Sequence, residues 1–156
     1  MAQARLMLDT NIVLDYLNER DPFYASSRLL MIGGRAGEFD LWITSSQITD
    51  LIYILSDGGK TAGIPPVLER LRGLRTFVSV CAIGSNEIDR MLATSWKDPE
   101  GALLFEAALE IRADFLISRN QKDFESSMLP VLDCEGFFEW MRKERKTDYG
   151  EIELVR

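Results

Sequence analysis

Residues Leu6–Leu17, LMLDTNIVLDYL, decide the fold. Arg5–Leu8 reads as a short strand that stops at Asp9. From Asn11 onward the period changes. Ile12, Val13, Tyr16 and Leu17 recur at helical spacing, so Asn11–Leu17 is predicted as a helix with those residues on one face. A strand that is apolar throughout is buried on both faces, as in a parallel sheet sandwiched by helices. The unit is therefore strand, acid, helix.

Working outward, the same grammar repeats. A second helix is predicted from the acid-then-proline start at Asp21-Pro22 to Gly33-Gly34, with Gly33 to Gly37 read as loop. Phe39–Thr44 is a strand, and Ser45-Ser46 cap a helix striped by Ile48, Leu51, Ile52 and Leu55. Gly58-Gly59 end it. Pro65–Leu74 is helical, Thr76–Val80 a strand and Asn86–Ala93 helical. A helix starting at Asp98-Pro99 carries Leu103, Leu104, Ala107, Ala108 and Ile111. Asp114–Ser118 is a buried strand, Asn120–Phe124 a helical turn, Pro130–Leu132 an edge strand and Glu135–Arg145 the last helix. The order β-α-α-β-α-α-β-α-α-β-α-β-α predicts an α/β protein: a three-layer α/β/α sandwich around a central, mostly parallel sheet. The 156 residues contain no repeat or linker, so one domain is expected over 1–156.

Composition removes whole classes of chemistry. Histidine is absent, which excludes Ser-His-Asp and Cys-His triads, histidine-bound zinc and histidine general bases. Two distant cysteines, Cys81 and Cys134, make neither a disulfide framework nor a four-thiolate site. The net charge is −7, so a nucleic-acid partner must be met by local basic patches or through metal ions. The longest apolar run, Phe77–Ile83, is too short to span a bilayer, and the apolar start is cut by Asp9. The expectation is a cytoplasmic protein without a membrane partner.

In parallel α/β sheets ligands sit outside the carboxyl ends of the strands. The residues there are mainly carboxylates. Asp9 ends the first strand, and Asp50 follows the second within about a turn. Asp123 follows the strand that closes on Ser118, and Asp98 opens the helix preceding it. Carboxylates crowded together resist ionising. A hard divalent cation resolves the repulsion, prefers oxygen ligands and can activate water against phosphorus.

Three stretches carry a resemblance: LMLDTNIVLDYL, ITSSQITDLIYIL, and ADFLISRNQKDF followed by LPVL. Together, and in this order, they resemble the PIN-domain family, in particular the VapC-type ribonuclease toxins. The likeness runs from Leu6 to about Trp140. It implies a PIN-like fold and a Mg²⁺- or Mn²⁺-dependent endoribonuclease acting on single-stranded or structured RNA. It also implies an antitoxin protein that holds the toxin inactive, and homodimers in some members. Carried over, the first acid is Asp9 with Asn11 as companion. The second acid, a glutamate in the family, is Asp50 here. The third motif falls on Asp98-Pro99-Glu100-Gly101-Ala102, so Gly101 stands where the family has its last acid in that stretch. The late motif supplies Arg119, Asn120 and Asp123. The implied catalytic acids are Asp9, Asp50, Asp98 and Asp123; the implied metal ligands are Asp9, Asp98 and Asp123; Asn11, Arg119 and Asn120 support them. Asp98 is one helical turn from position 101 and so is the substitute for the missing carboxylate, ahead of Glu100. The alternative is a PIN fold that binds RNA or a protein without turnover.

Each residue also has a local reading. Asp9 and Asp98 can cap helices. Asp50 lies off the apolar stripe, although Ile54 on its side argues for a face that is at least partly covered. Asp123 can cap reciprocally with Asn120, and Arg119 reads locally as a surface arginine, which the resemblance lifts towards phosphate or carboxylate contact. The basic stretches Arg70, Arg72, Arg75 and Arg142, Lys143, Arg145, Lys146 are read as solvated faces. The tryptophans are read as core or rim and the cysteines as buried. A phospho-acceptor domain is set aside, because Asp9-Thr10-Asn11 lacks the acid pair it needs.

Overall fold

A computed structural model describes residues 3–149. Its strands are β1 (Arg5–Leu8), β2 (Asp40–Thr44), β3 (Val78–Cys81), β4 (Phe115–Ile117) and β5 (Val131–Leu132). The helices are α1 (Thr10–Leu17), α2 (Tyr24–Arg35), α3 (Ser45–Leu55), α4 (Ile64–Leu74), α5 (Ser85–Leu92), α6 (Pro99–Glu110) and α7 (Cys134–Glu144). Short 3-10 turns occupy Thr61–Gly63 and Gln121–Phe124. The chain order is the one expected from the sequence.

The strands pair in the order β3-β2-β1-β4-β5, and all four pairings are parallel. β1 lies at the centre, with Met7 between Trp42 and Leu116. This is why Leu6–Leu8 is apolar without alternation: each side chain enters one of two cores. Leu6 and Leu8 join Ile12, Leu30, Leu41 and Phe137 on one face. Met7 joins Leu104, Phe105, Ala107, Leu116 and Phe124 on the other. A sheet covered on both sides is the three-layer sandwich.

Two expectations need correction. The second helix does not begin at Asp21-Pro22. That bond is cis, the turn runs to Phe23, and the helix starts at Tyr24 without a side-chain cap. Nor do Gly33 and Gly34 end it. They lie inside α2, because a Cβ at 33 would sit 2.2 Å from the Phe39 ring and one at 34 would sit 2.3 Å from Leu41 Cδ1. The glycines are there for close helix-to-sheet approach. α1 is also buried more widely than its predicted stripe, since Leu14 and Asp15 are buried too. Pro130–Leu132 does lie at the sheet edge, as β5.

Candidate active site

The strand ends place the site. Beyond β1 and β4 the ladder continues, with Asp9 N donating to Ile117 O (2.9 Å) and Ser118 N to Leu132 O (2.9 Å). This brings Asp9 against Ser118, whose hydroxyl donates to Asp9 Oδ2 (2.6 Å). Asp9 Oδ1 accepts from Thr10 N (2.8 Å), so the N-cap reading of Asp9 holds. Ser118 Oγ in turn accepts from Asn120 N (3.0 Å). On the other side, Thr44 and Gln47 form the capping box of α3, with Thr44 N donating to Gln47 Oε1 (2.7 Å). Gln47 Nε2 also donates to Leu8 O (2.9 Å) and Thr10 Oγ1 (3.1 Å). α3 is thereby stitched to the end of β1.

A cavity of about 460 Å³ opens at this edge. Asp9, Asn11, Asp50, Asp98, Asn120 and Asp123 all line it. Ser46, Glu100 and Gly101 border it as well, and among the described residues its lining contains no Lys or Arg. Burial is the main force raising the Asp9 carboxyl above its usual range. The Ser118 hydroxyl and Thr10 N–H pull it back, and the charges of Asp123 and Asp98 push it up again.

The local readings of Asp98 and Asp123 do not hold. Asp98 occupies the N-cap position of α6, but its side chain caps nothing. Asn120 makes no side-chain cap to the 3-10 turn that contains Asp123; Asp123 N bonds the Asn120 backbone carbonyl (3.0 Å). Both residues line the cavity. The glycine at 101 is informative. A Cβ built there would lie 3.1 Å from Asp98 Oδ2 and 3.1 Å from Asp123 O. The Asp98 carboxylate thus fills the space that a side chain at 101 would enter.

Arg119 is not part of this cavity. Its guanidinium grips Asp15 in bidentate fashion, Nε to Oδ2 at 2.7 Å and Nη2 to Oδ1 at 3.1 Å, and lies 3.9 Å over the Phe23 ring. It is thus no free surface arginine: the contact found is with a carboxylate. Ile54 is 43% exposed, so the face of α3 beside Asp50 is only partly covered. Sequence reasoning missed Ser118, Gln47 and Asp15. Ser118 follows from the strand-end rule and Gln47 from the T-x-x-Q capping box. Asp15 is an acid among apolar residues of α1 that demands a buried partner.

The donor set fits a hard cation. All side-chain donors are oxygens or amides, and both cysteines are buried outside the lining. The Asn11 carbonyl oxygen is buried with no hydrogen-bond donor among the described residues. Among those residues, no three acids or cysteines are placed to hold an ion by themselves.

Comparison with known proteins finds relatives along most of the chain. Ribonuclease VapC1 of Aquifex aeolicus (strain VF5) is 26% identical, over 89% of this chain and 96% of its own. VapBC-1 from nontypeable Haemophilus influenzae superposes with a TM-score of 0.59 at 19% identity, covering 84% of this chain and 98% of that one. A toxin–antitoxin complex from Klebsiella pneumoniae gives 0.58 at 19% identity, covering 83% and 97%. VapBC2 from Rickettsia felis, bound to a DNA fragment from its promoter, gives 0.57 at 18% identity, again covering 83% and 97%. These structures share the fold. The PIN-domain family model matches residues 5–122, and the chain belongs to the PIN-domain family.

Proposed function

We propose that this chain is a divalent-metal-dependent endoribonuclease, the toxin-type member of a toxin–antitoxin pair. One observation carries the reading: carboxylates from the end of β1, from α3, from the start of α6 and from the turn after β4 line one cavity. The relatives' toxin–antitoxin character and the 26%-identical ribonuclease support the substrate class and an antitoxin partner. We take residues 1–156 as one functional domain. No helix among the described residues is long and apolar enough to cross a membrane. With RNA as substrate and both cysteines free, a cytoplasmic setting is part of the proposal.

Asp9 with Asp98 or Asp123 would hold Mg²⁺ or Mn²⁺. Bound there, the ion supplies a Lewis acid for the phosphate and lowers the pKa of a coordinated water. Asp9 is kept in one orientation by Thr10 N–H and the Ser118 hydroxyl. Asp50 accepts a proton from, or orients, the attacking water. Asn11 and Asn120 offer amide groups to water or to a phosphate oxygen. Asp98 replaces the carboxylate lost at 101.

A second reading is kept, because Gly101 removes a family acid: RNA or protein binding without turnover. Incubating single-stranded RNA with Mn²⁺ and either the wild-type chain or Asp9→Ala decides. Cleavage by the wild type alone is expected. Equal cleavage by both refutes the site. RNA binding with no cleavage by either replaces the nuclease reading with the second one.

A further inference from the structure

We infer that the cavity adjoining the acid site seats the RNA backbone phosphates flanking the cleaved one, held by Lys97 and Lys122. This inference rests on the ribonuclease reading. The cavity measures about 370 Å³ and shares Asp98 and Asp123 with the acid site. A strand leaving the acids on this side enters it at once. Its walls are the segment leading into α6, with Ser95, Trp96 and Lys97, and the turn after β4, with Lys122 and Ser126. Trp96 is stacked on Phe105 (centroids 5.1 Å apart) and lies edge-on to Phe124 (6.2 Å), so this wall is braced against the smaller core.

The charge pattern decides the direction. RNA carries a negative charge at every nucleotide, and among the described residues the acid cavity has no cationic side chain to meet it. A phosphate outside the metal-shielded spot is repelled unless a positive group lies beside it. Arg119 is committed to Asp15, and Arg35 and Arg70 line a different groove beside Tyr16 and Phe77, which shares no residue with the acid cavity. Lys97 and Lys122 are exposed and make no ion pair among the described residues. They are the cations on the cavity that borders the acids. Ser95 and Ser126 add hydroxyl donors. Glu125 lines the same cavity and opposes binding.

The test uses the full chain in an Asp9→Ala background, so that RNA is not consumed. Binding of a fluorescein-labelled single-stranded RNA oligonucleotide is followed by anisotropy in Mn²⁺ across a range of salt. For single strands log K falls with log salt by about 0.7 for each phosphate neutralised. Lys97→Ala and Lys122→Ala should each weaken binding and flatten that slope by about 0.7, and the double variant by about 1.4. Glu125→Gln should tighten binding, and Arg70→Ala should change nothing. Unchanged slopes in both lysine variants, or an equal loss in Arg70→Ala, overturn the inference. Cleavage by the chain with native Asp9 is scored in parallel. Its failure removes the nuclease reading, whereas cleavage with unaltered slopes removes only the flanking cavity.

Discussion

Replacing Arg119 with methionine tests whether the strand-end segment is anchored from behind the acid site. Asp15 is 1% exposed and Arg119 is 27% exposed, and the pair is bidentate. Methionine keeps an apolar stem but removes the guanidinium over Phe23 and leaves the Asp15 carboxylate buried without its counter-ion. Breaking a buried pair from one side costs about 3–5 kcal/mol. Because Arg119 is partly open to water, a loss near 3 kcal/mol is expected, with about 0.5–1 kcal/mol of it from the ring contact. For a chain of this size that lowers Tm by about 6–12 °C, at about 2–4 °C per kcal/mol. The decisive comparison is a double variant, Asp15→Leu with Arg119→Met. Removing both charges removes the stranded carboxylate, so the double variant should unfold in urea within about 1 kcal/mol of wild type. It should therefore be more stable than Arg119→Met alone. A loss under about 1 kcal/mol in Arg119→Met, or a double variant as poor as the sum of the singles, would refute the reasoning. Ser118 and Asn120 flank Arg119, so Mn²⁺ affinity should fall in Arg119→Met as well.

Asp9→Asn reports on burial of the first acid. Its raised pKa means the metal-free fold favours the protonated form: that contribution is complete below the ordinary value of 3.8 and is lost as pH rises through the higher folded value. Without metal, Asp9→Asn should therefore melt above wild type at neutral pH, with the gap closing near pH 4; calorimetry in EDTA showing the reverse order would discard the burial argument. Gly101→Asp adds a further carboxylate, whose Cβ lies 3.1 Å from Asp98 Oδ2. Repulsion of about 1–4 kcal/mol outweighs the roughly 1 kcal/mol helix gain over glycine, so the metal-free protein should melt lower. Its Tm should rise more than that of wild type on adding Mn²⁺, and equal rises would remove position 101 from the site.

The amino-acid string by itself determined the element order and the two-sided burial of β1. It did so because short apolar strands and 3.6-residue stripes are local signals, readable within about ten residues. It also marked the acids, since each follows a strand end or opens a helix. What it left open was any fact that depends on residues distant in the chain. Asp98 and Asp9 carry the same N-cap signature, yet Asp9 spends an oxygen on Thr10 N while Asp98 turns to the space left at Gly101. Arg119 read locally as a surface arginine until the fold set Asp15 beside it, across 104 positions. Gly33 and Gly34 read as a helix stop, and only the nearness of Phe39 and Leu41 shows them as packing glycines. The sequence specifies propensities one segment at a time. Which carboxylates share a cavity, and which charge is spent elsewhere, is decided when the parallel sheet brings its strand ends to one edge.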